Sequence, residues 1–155
     1  MFNIVLIEPE IPANTGNIAR TCAVTNCKLH LVQPLGFSID DKHLKRAGLD
    51  YWHLLDVQLY DNLTHFLSLH GDKNLYLATT KANRYYSEMT YQADDFFLFG
   101  KETKGLPADL RQRYADGCIK IPMLDNEAAR SLNLSNSVSI IIYEAFRQIN
   151  FQGLI

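Results

Sequence analysis

The sequence offers no apolar run approaching the roughly 20 residues that a membrane helix needs. Its first apolar stretch, Ile4-Val5-Leu6-Ile7, is cut short by Glu8-Pro9-Glu10. A positively charged n-region followed by an apolar h-region is missing as well, so nothing resembles a secretory leader. Together these absences predict a cytoplasmic protein that does not engage a membrane. Cysteine is scarce: Cys22, Cys27 and Cys118 are odd in number and never spaced C-x-x-C. That disfavours a disulfide framework and predicts buried, reduced thiols. The histidines, at 30, 43, 53, 65 and 70, lack the spacing of a metal site, and no metal is expected. An excess of positive charge is missing too, because a net charge of −2 argues against a protein that coats nucleic acid non-specifically. Neither G-x-G-x-x-G nor the phosphate-binding G-x-x-x-x-G-K-[ST] occurs, so dinucleotide binding and phosphate hydrolysis are unsupported. The G-x-S-x-G elbow of a hydrolase is also absent.

What is present is a 155-residue chain, 47% hydrophobic and 21% charged, a balance that suits one globular domain over residues 1–155 with a core of its own. Positive charge is concentrated locally. Lys42, His43, Lys45 and Arg46 gather in one short segment, and Arg111, Arg113, Lys120, Arg130 and Arg147 lie in the second half. A basic face within an acidic total is therefore possible, and Lys45 and Arg46 are candidate contacts to an anionic partner.

Strand and helix signals alternate. Phe2 to Ile7 reads as a buried parallel-type strand, and Asn14 opens a helix with Asn14 or Thr15 as N-cap and Ile18, Cys22 and Thr25 on one face. Lys28 to Val32 is the next strand. Helices are expected at 40–47 and 62–69, and strands at 74–78, 96–99 and 118–121, with Pro107 at a helix start. The last helix, 135–149, carries Val138, Ile141, Ile142, Ala145 and Ile149 on one face, which suits packing against a second subunit as well as against its own sheet. The class is α/β with a parallel sheet flanked by helices.

Polar residues that can do chemistry concentrate in the loops after strands: 8–20, 99–107 and 121–136. In a parallel sheet the carboxyl ends of the strands share one edge, so these loops should converge. In the first, Asn14-Thr15-Gly16-Asn17 precedes free helix N–H groups that suit a phosphate, with Arg20 on the first turns; helix capping and a solvated charge are the plainer reading. In the second, Gly100 and Gly105 flank Lys-Glu-Thr-Lys and let backbone amides approach a ligand, or simply make a turn. In the third, Ser131, Asn133, Ser135 and Asn136 exceed what one cap requires, which favours ligand contacts. Tyr85-Tyr86, Tyr51-Trp52 and Tyr143 are aromatics able to stack on a base, although most aromatics should pack in the core.

In this order, EPEIPANTGNIAR at 8–20, RAGLDY at 46–51, FGKETKGLP at 99–107 and SLNLSNSVSIIIYEAFRQ at 131–148 resemble the motifs of the SPOUT superfamily of RNA methyltransferases. Within that superfamily the chain is similar to its shortest, extension-free branch, 2′-O-ribose methyltransferases of the tRNA wobble nucleotide. The resemblance implies a C-terminal trefoil knot. It also implies bound S-adenosylmethionine near Thr79, Gly100, Ile121, Met123, Ser131 and Leu132, and a homodimer that completes each site from both chains. Arg20, Glu102, Ser131, Asn133 and Tyr143 match the family's catalytic positions, with Asn14, Asn17, Lys45 and Arg46 toward the RNA. The substrate implied is cytidine or modified uridine at the wobble position of tRNA, leucine tRNAs in particular. The alternatives are methylation of rRNA or of another tRNA position, and a non-catalytic knotted RNA-binding protein. Two features depart from the pattern: Lys101 stands where relatives usually have Pro, and 125–129 is unusually acidic before Arg130.

The side chains suit that chemistry. A ribose hydroxyl is a poor nucleophile, so transfer needs alignment and help with its proton. Arg20 is ordinarily protonated and would act by placing a phosphate and offsetting oxyanion charge.

Overall fold

A computed structural model describes residues 1–39, 42 and 49–155. The expected helix at 40–47 lies outside the described residues but for residue 42, and Lys45 and Arg46 lie outside them. The strands are β1 (Asn3–Ile7), β2 (Lys28–Val32), β3 (Val57–Tyr60), β4 (Leu75–Ala78), β5 (Arg84–Tyr85), β6 (Phe96–Phe99) and β7 (Cys118–Lys120). They form one seven-stranded sheet in the order β3-β2-β1-β6-β4-β7-β5. Every pairing is parallel. The α-helices lying wholly within the described residues are α1 (Pro12–Thr25), α2 (Leu63–His70), α3 (Ala108–Arg113) and α4 (Leu134–Gln148). No helix among the described residues is long and apolar enough to cross a membrane.

Both faces of the sheet are covered, which is why Ile4 to Ile7 of β1 and the whole of β6 are continuous apolar runs rather than alternating ones. Ile4, Leu6, Leu29, Leu31, Phe97 and Phe99 point to one side, where Ile18 and Cys22 of α1 and Val138, Ile141, Ile142 and Ala145 of α4 close over them. Val5, Ile7, Val32, Leu77, Phe96 and Leu98 point to the other, under Phe66 of α2 and Leu110 of α3. Much of the apolar stripe of α4 is thus spent on its own sheet. What α1 and α4 leave outside is another set, including Val24, 62% exposed, and Tyr143, 45% exposed.

Several local expectations change. The first helix starts at Pro12, with Ile11 as an N-cap that makes no side-chain cap; neither Asn14 nor Thr15 caps it. Proline in the first turn suits a helix start, because its missing N–H would have no helical partner there. Asn26, left-handed at φ 56°, ends the helix. Strands β3 and β5 were not expected, the last helix starts one residue earlier than read, and β7 stops at Lys120. Cys22 and Cys27 are buried and reduced, with burial pushing both thiols up.

Candidate active site

Because all strands run parallel, the segments that leave β1, β4, β6 and β7 emerge at one edge of the sheet. There they enclose a cavity of about 560 Å³, lined among others by Asn14, Thr79, Gly100, Ile121, Ser131 and Leu132. The convergence expected of the three polar loops is observed, and a fourth segment, Ala78 to Lys81, joins them. Of the residues expected to hold a cofactor, Thr79, Gly100, Ile121, Met123, Ser131 and Leu132 all line this one cavity.

The loops are tied together by side chains distant in sequence. The Glu102 carboxylate accepts from the backbone N–H of Glu10 at 2.9 Å and of Ile11 at 3.1 Å, and from Asn14 Nδ2 at 3.2 Å. A carboxylate at the start of α1 offsets the helix dipole and satisfies backbone donors that no local side chain reaches. The cap that the local sequence lacks is therefore supplied from the β6 loop. Asn14 Oδ1 in turn accepts from Asn133 Nδ2 at 3.0 Å. Asn133 Oδ1 accepts from the N–H groups of Ser135 at 2.9 Å and Asn136 at 3.4 Å, capping α4. One chain of hydrogen bonds, Glu102 to Asn14 to Asn133, thus fixes the starts of both long helices against the second loop. Asn14, expected on substrate, is buried with both ends of its amide engaged.

Two further ties run beside it. Lys101 Nζ lies 2.9 Å from Glu8 Oε2, and this carboxylate holds the ammonium above its ordinary value. Glu8 itself sits at φ 50°, in the left-handed turn that leaves β1. Lys101, the departure from the family pattern, is accounted for by that ion pair. Thr103 donates both its N–H, at 3.1 Å, and its hydroxyl, at 2.9 Å, to Glu10 Oε2. The loop folds back on itself so closely that a Cβ on Gly100 would stand 2.1 Å from the carbonyl carbon of Gly105. Any side chain at position 100 would force the loop open. Gly105, at φ +66°, supplies the left-handed corner.

The remaining expected residues lie elsewhere. Asn17 and Arg20 are exposed on α1, and Tyr143 is exposed on α4; none of the three is among the residues lining the cavity. The two helices touch nearby, Thr21 Oγ1 lying 3.3 Å from Ser139 Oγ, one turn before Tyr143. The expected site therefore divides into a tied-down cavity at the sheet edge and an outward-facing group on α1 and α4. Arg130 joins the cavity wall at φ 56°, a costly conformation for a residue with a side chain. Sequence reading noted its charge but not its backbone.

Residues 1–143 match the model of the SpoU rRNA Methylase family. The tRNA (cytidine(34)-2'-O)-methyltransferase of Saccharophagus degradans is 47% identical, covering 99% of each chain. A solved structure concerned with 2-OH methylation of C/U34 on tRNA superposes with a TM-score of 0.91 at 39% identity, covering 98% of each chain. The SpoU methyltransferase AviRb from Streptomyces viridochromogenes, solved in complex with the cofactor AdoMet, has a TM-score of 0.83 at 21% identity. It covers 96% of this chain and 60% of AviRb, a likeness of fold.

Proposed function

Since the chain belongs to the SpoU rRNA Methylase family, we propose that it moves the methyl group of S-adenosylmethionine to the ribose 2′-hydroxyl of the wobble nucleotide of tRNA. The nucleotide is cytidine or a modified uridine, in leucine tRNAs above all, and the enzyme works in the cytoplasm as a homodimer. The observation that carries this reading is the single cavity that gathers every residue expected to hold the donor, fixed by the Glu102, Asn14 and Asn133 chain. Support for the substrate comes from the full-length relative and the solved structure concerned with position 34.

The residues present fit such a donor. About 560 Å³ lies within the usual range for small-molecule sites. Ile121, Met123 and Leu132 offer an apolar wall for a purine, while Thr79, Ser131 and the backbone around Gly100 offer polar contacts. When bound, S-adenosylmethionine supplies an electrophilic sulfonium methyl. Glu102 and Asn133 act as positioning residues, because their polar atoms are committed to the helix starts. Arg20 holds the phosphate beside the reacting ribose and offsets the charge developing on its oxygen, while that phosphate or water takes the proton. Tyr143 lies on the same outer surface and packs the ribose.

In their own chain Arg20 and Tyr143 stand outside the cavity lining, and a second copy placing its α1 and α4 over the cavity would bring them in. That is the argument for the homodimer and for a site shared between chains. We also infer that the chain is knotted as a trefoil. In support, β6 lies between β1 and β4, and the segments after β4, β6 and β7 crowd round one cavity. Lys45 and Arg46 are proposed to contact tRNA phosphates.

The test is transfer from methyl-labelled S-adenosylmethionine to bulk tRNA and rRNA in parallel, followed by nucleoside digestion and mapping. The expected product is a 2′-O-methylated nucleoside at the first anticodon position. Label in rRNA alone, or at another tRNA position, overturns the substrate; donor binding without transfer to any RNA overturns the activity.

A further inference from the structure

Behind the donor cavity lies a second one of about 510 Å³. Thr80, Ile121, Met123, Arg130 and Ser131 line both, so the segment after β7 forms a wall between them. The far side is walled by Tyr85 of the edge strand β5 and by Lys120 of β7. Tyr85 is 44% exposed, and Lys120 Nζ lies 5.4 Å from its ring centroid. Arg84 and Lys81 are exposed on the same connection, and Arg130 on the shared wall. The acidic groups nearby are Asp125, on the lining, and Glu88, whose carboxylate is spent on the Tyr85 backbone N–H.

We infer that this second cavity is a subsite for single-stranded RNA. In it Tyr85 stacks on the base of a nucleotide flanking the reacting one, and Lys120, with Arg84, holds the adjoining phosphates. The inference rests on the proposed RNA methyl transfer and deepens it. An edge strand ending in an exposed aromatic is open on its outer side, which suits a base splayed out of a loop. A ring with an ammonium close by joins the two elements, stacking platform and cation, that single-strand sites combine. The shared wall, which includes the proposed donor contacts Ile121, Met123 and Ser131, places the subsite next to the reaction, while Tyr85 and Lys120 lie outside the lining of the donor cavity. A single strand can cross that wall, whereas a stacked duplex cannot splay a base into the cavity.

The experiment compares Tyr85→Ala, Tyr85→Phe and Lys120→Ala, each dimeric and with wild-type affinity for S-adenosylmethionine. The probes are an unmodified tRNA and its anticodon stem-loop. Tyr85→Ala is expected to weaken RNA binding at least about 5-fold with an unchanged salt slope, while rates at saturating RNA stay within about 2-fold. Tyr85→Phe keeps the ring and should match wild type. Lys120→Ala should lower affinity and reduce the salt slope by about 1. Wild-type affinity in both Tyr85→Ala and Lys120→Ala overturns the subsite while leaving methyl transfer standing. Wild-type protein that binds no tRNA and methylates none overturns the underlying reading, and the subsite with it.

Discussion

At the sheet edge, side chains from three loops bind one another: Glu102 meets Asn14, Asn14 meets Asn133, and Lys101 meets Glu8. On α1 and α4, by contrast, Asn17, Arg20, Val24 and Tyr143 are exposed and are not among the residues lining that cavity. The first region is held together by hydrogen bonds within the chain. The second, in the proposed function, works on RNA from a second copy of the chain. Donor binding and methyl transfer should therefore separate under mutation, and their separation is the measure of how independent the two regions are.

The largest effect should come from the outer region. Arg20→Ala is expected to fold, dimerise and bind S-adenosylmethionine as wild type does, yet lose transfer by about 10² or more, the scale of removing one preorganised electrostatic group. Arg20→Lys should rescue poorly, since an ammonium lacks the planar fork that spans a phosphate and a ribose oxygen. Single-turnover rates at saturating tRNA decide it. A rate within a few-fold of wild type would make Arg20 a binding or capping residue.

Glu102→Ala should do the reverse. It strips the start of α1 of a charged acceptor for three donors, and hydrogen bonds to charged groups contribute about 1.5–3 kcal/mol each before the rest of the structure relaxes. A loss near 2 kcal/mol in unfolding free energy is expected, together with weaker donor binding, read by denaturation and calorimetry. Glu102→Gln should fall between, because the amide keeps one acceptor but turns an NH₂ toward a backbone N–H. Unchanged donor affinity in Glu102→Ala would show that the cavity does not depend on this tie.

Mixing the two variants sharpens the comparison further. If each site takes its cavity from one chain and Arg20 from the other, random reassortment of Arg20→Ala with Glu102→Ala makes half the dimers mixed. One of the two sites in each mixed dimer is then intact. Activity at donor concentrations limiting for Glu102→Ala should return to about a quarter of wild type. No recovery after verified exchange would put both regions of each site in one chain.

The same contrast explains what could be read from sequence. Phe96 to Phe99 was legible because four consecutive apolar, mostly aromatic residues between turn signals are too few for a helix and suit a strand buried on both faces. The three loops were legible because polar residues followed each such strand. Asn14 was misread as a cap because local spacing cannot show a carboxylate arriving from residue 102. Strand β3 escaped notice because it is only four residues long and Gln58 interrupts its apolar run at the sheet edge. Tyr85 was noted only as an aromatic able to stack; its pairing with β7 and its place beside Lys120 depend on a two-residue strand with no signal of its own.

The smallest effect, and the control for both regions, lies in the core beneath α2. There Asn3 Nδ2 donates to the Asp94 carbonyl at 3.0 Å, turning its Oδ1 toward His30 Nε2 at 3.0 Å. That makes Nε2 a donor, while Nδ1 lies 2.8 Å from the Tyr60 hydroxyl, which itself donates to Gln58 Oε1 at 3.2 Å. The Tyr60 oxygen also lies 3.0 Å from His70 Nε2. His30 is buried within this network. Burial first, and then His70 and Lys28 against the opposing pull of Asp56, push its pKa from 6.5 down to about 4. His70 is lowered as well, chiefly by burial. The folded state therefore binds fewer protons than the unfolded chain between about pH 6.5 and 4, so stability is full above this window and falls as pH drops through it. For one such group, going from pH 7 to 5.5 should cost about 1 kcal/mol, measured by denaturant unfolding. His30→Gln should flatten that dependence. Donor affinity of the folded protein should not follow the same curve, since none of these residues lines the donor cavity. A pH profile of donor binding that tracked the unfolding curve would mean that this cluster and the site edge are one cooperative structure rather than two.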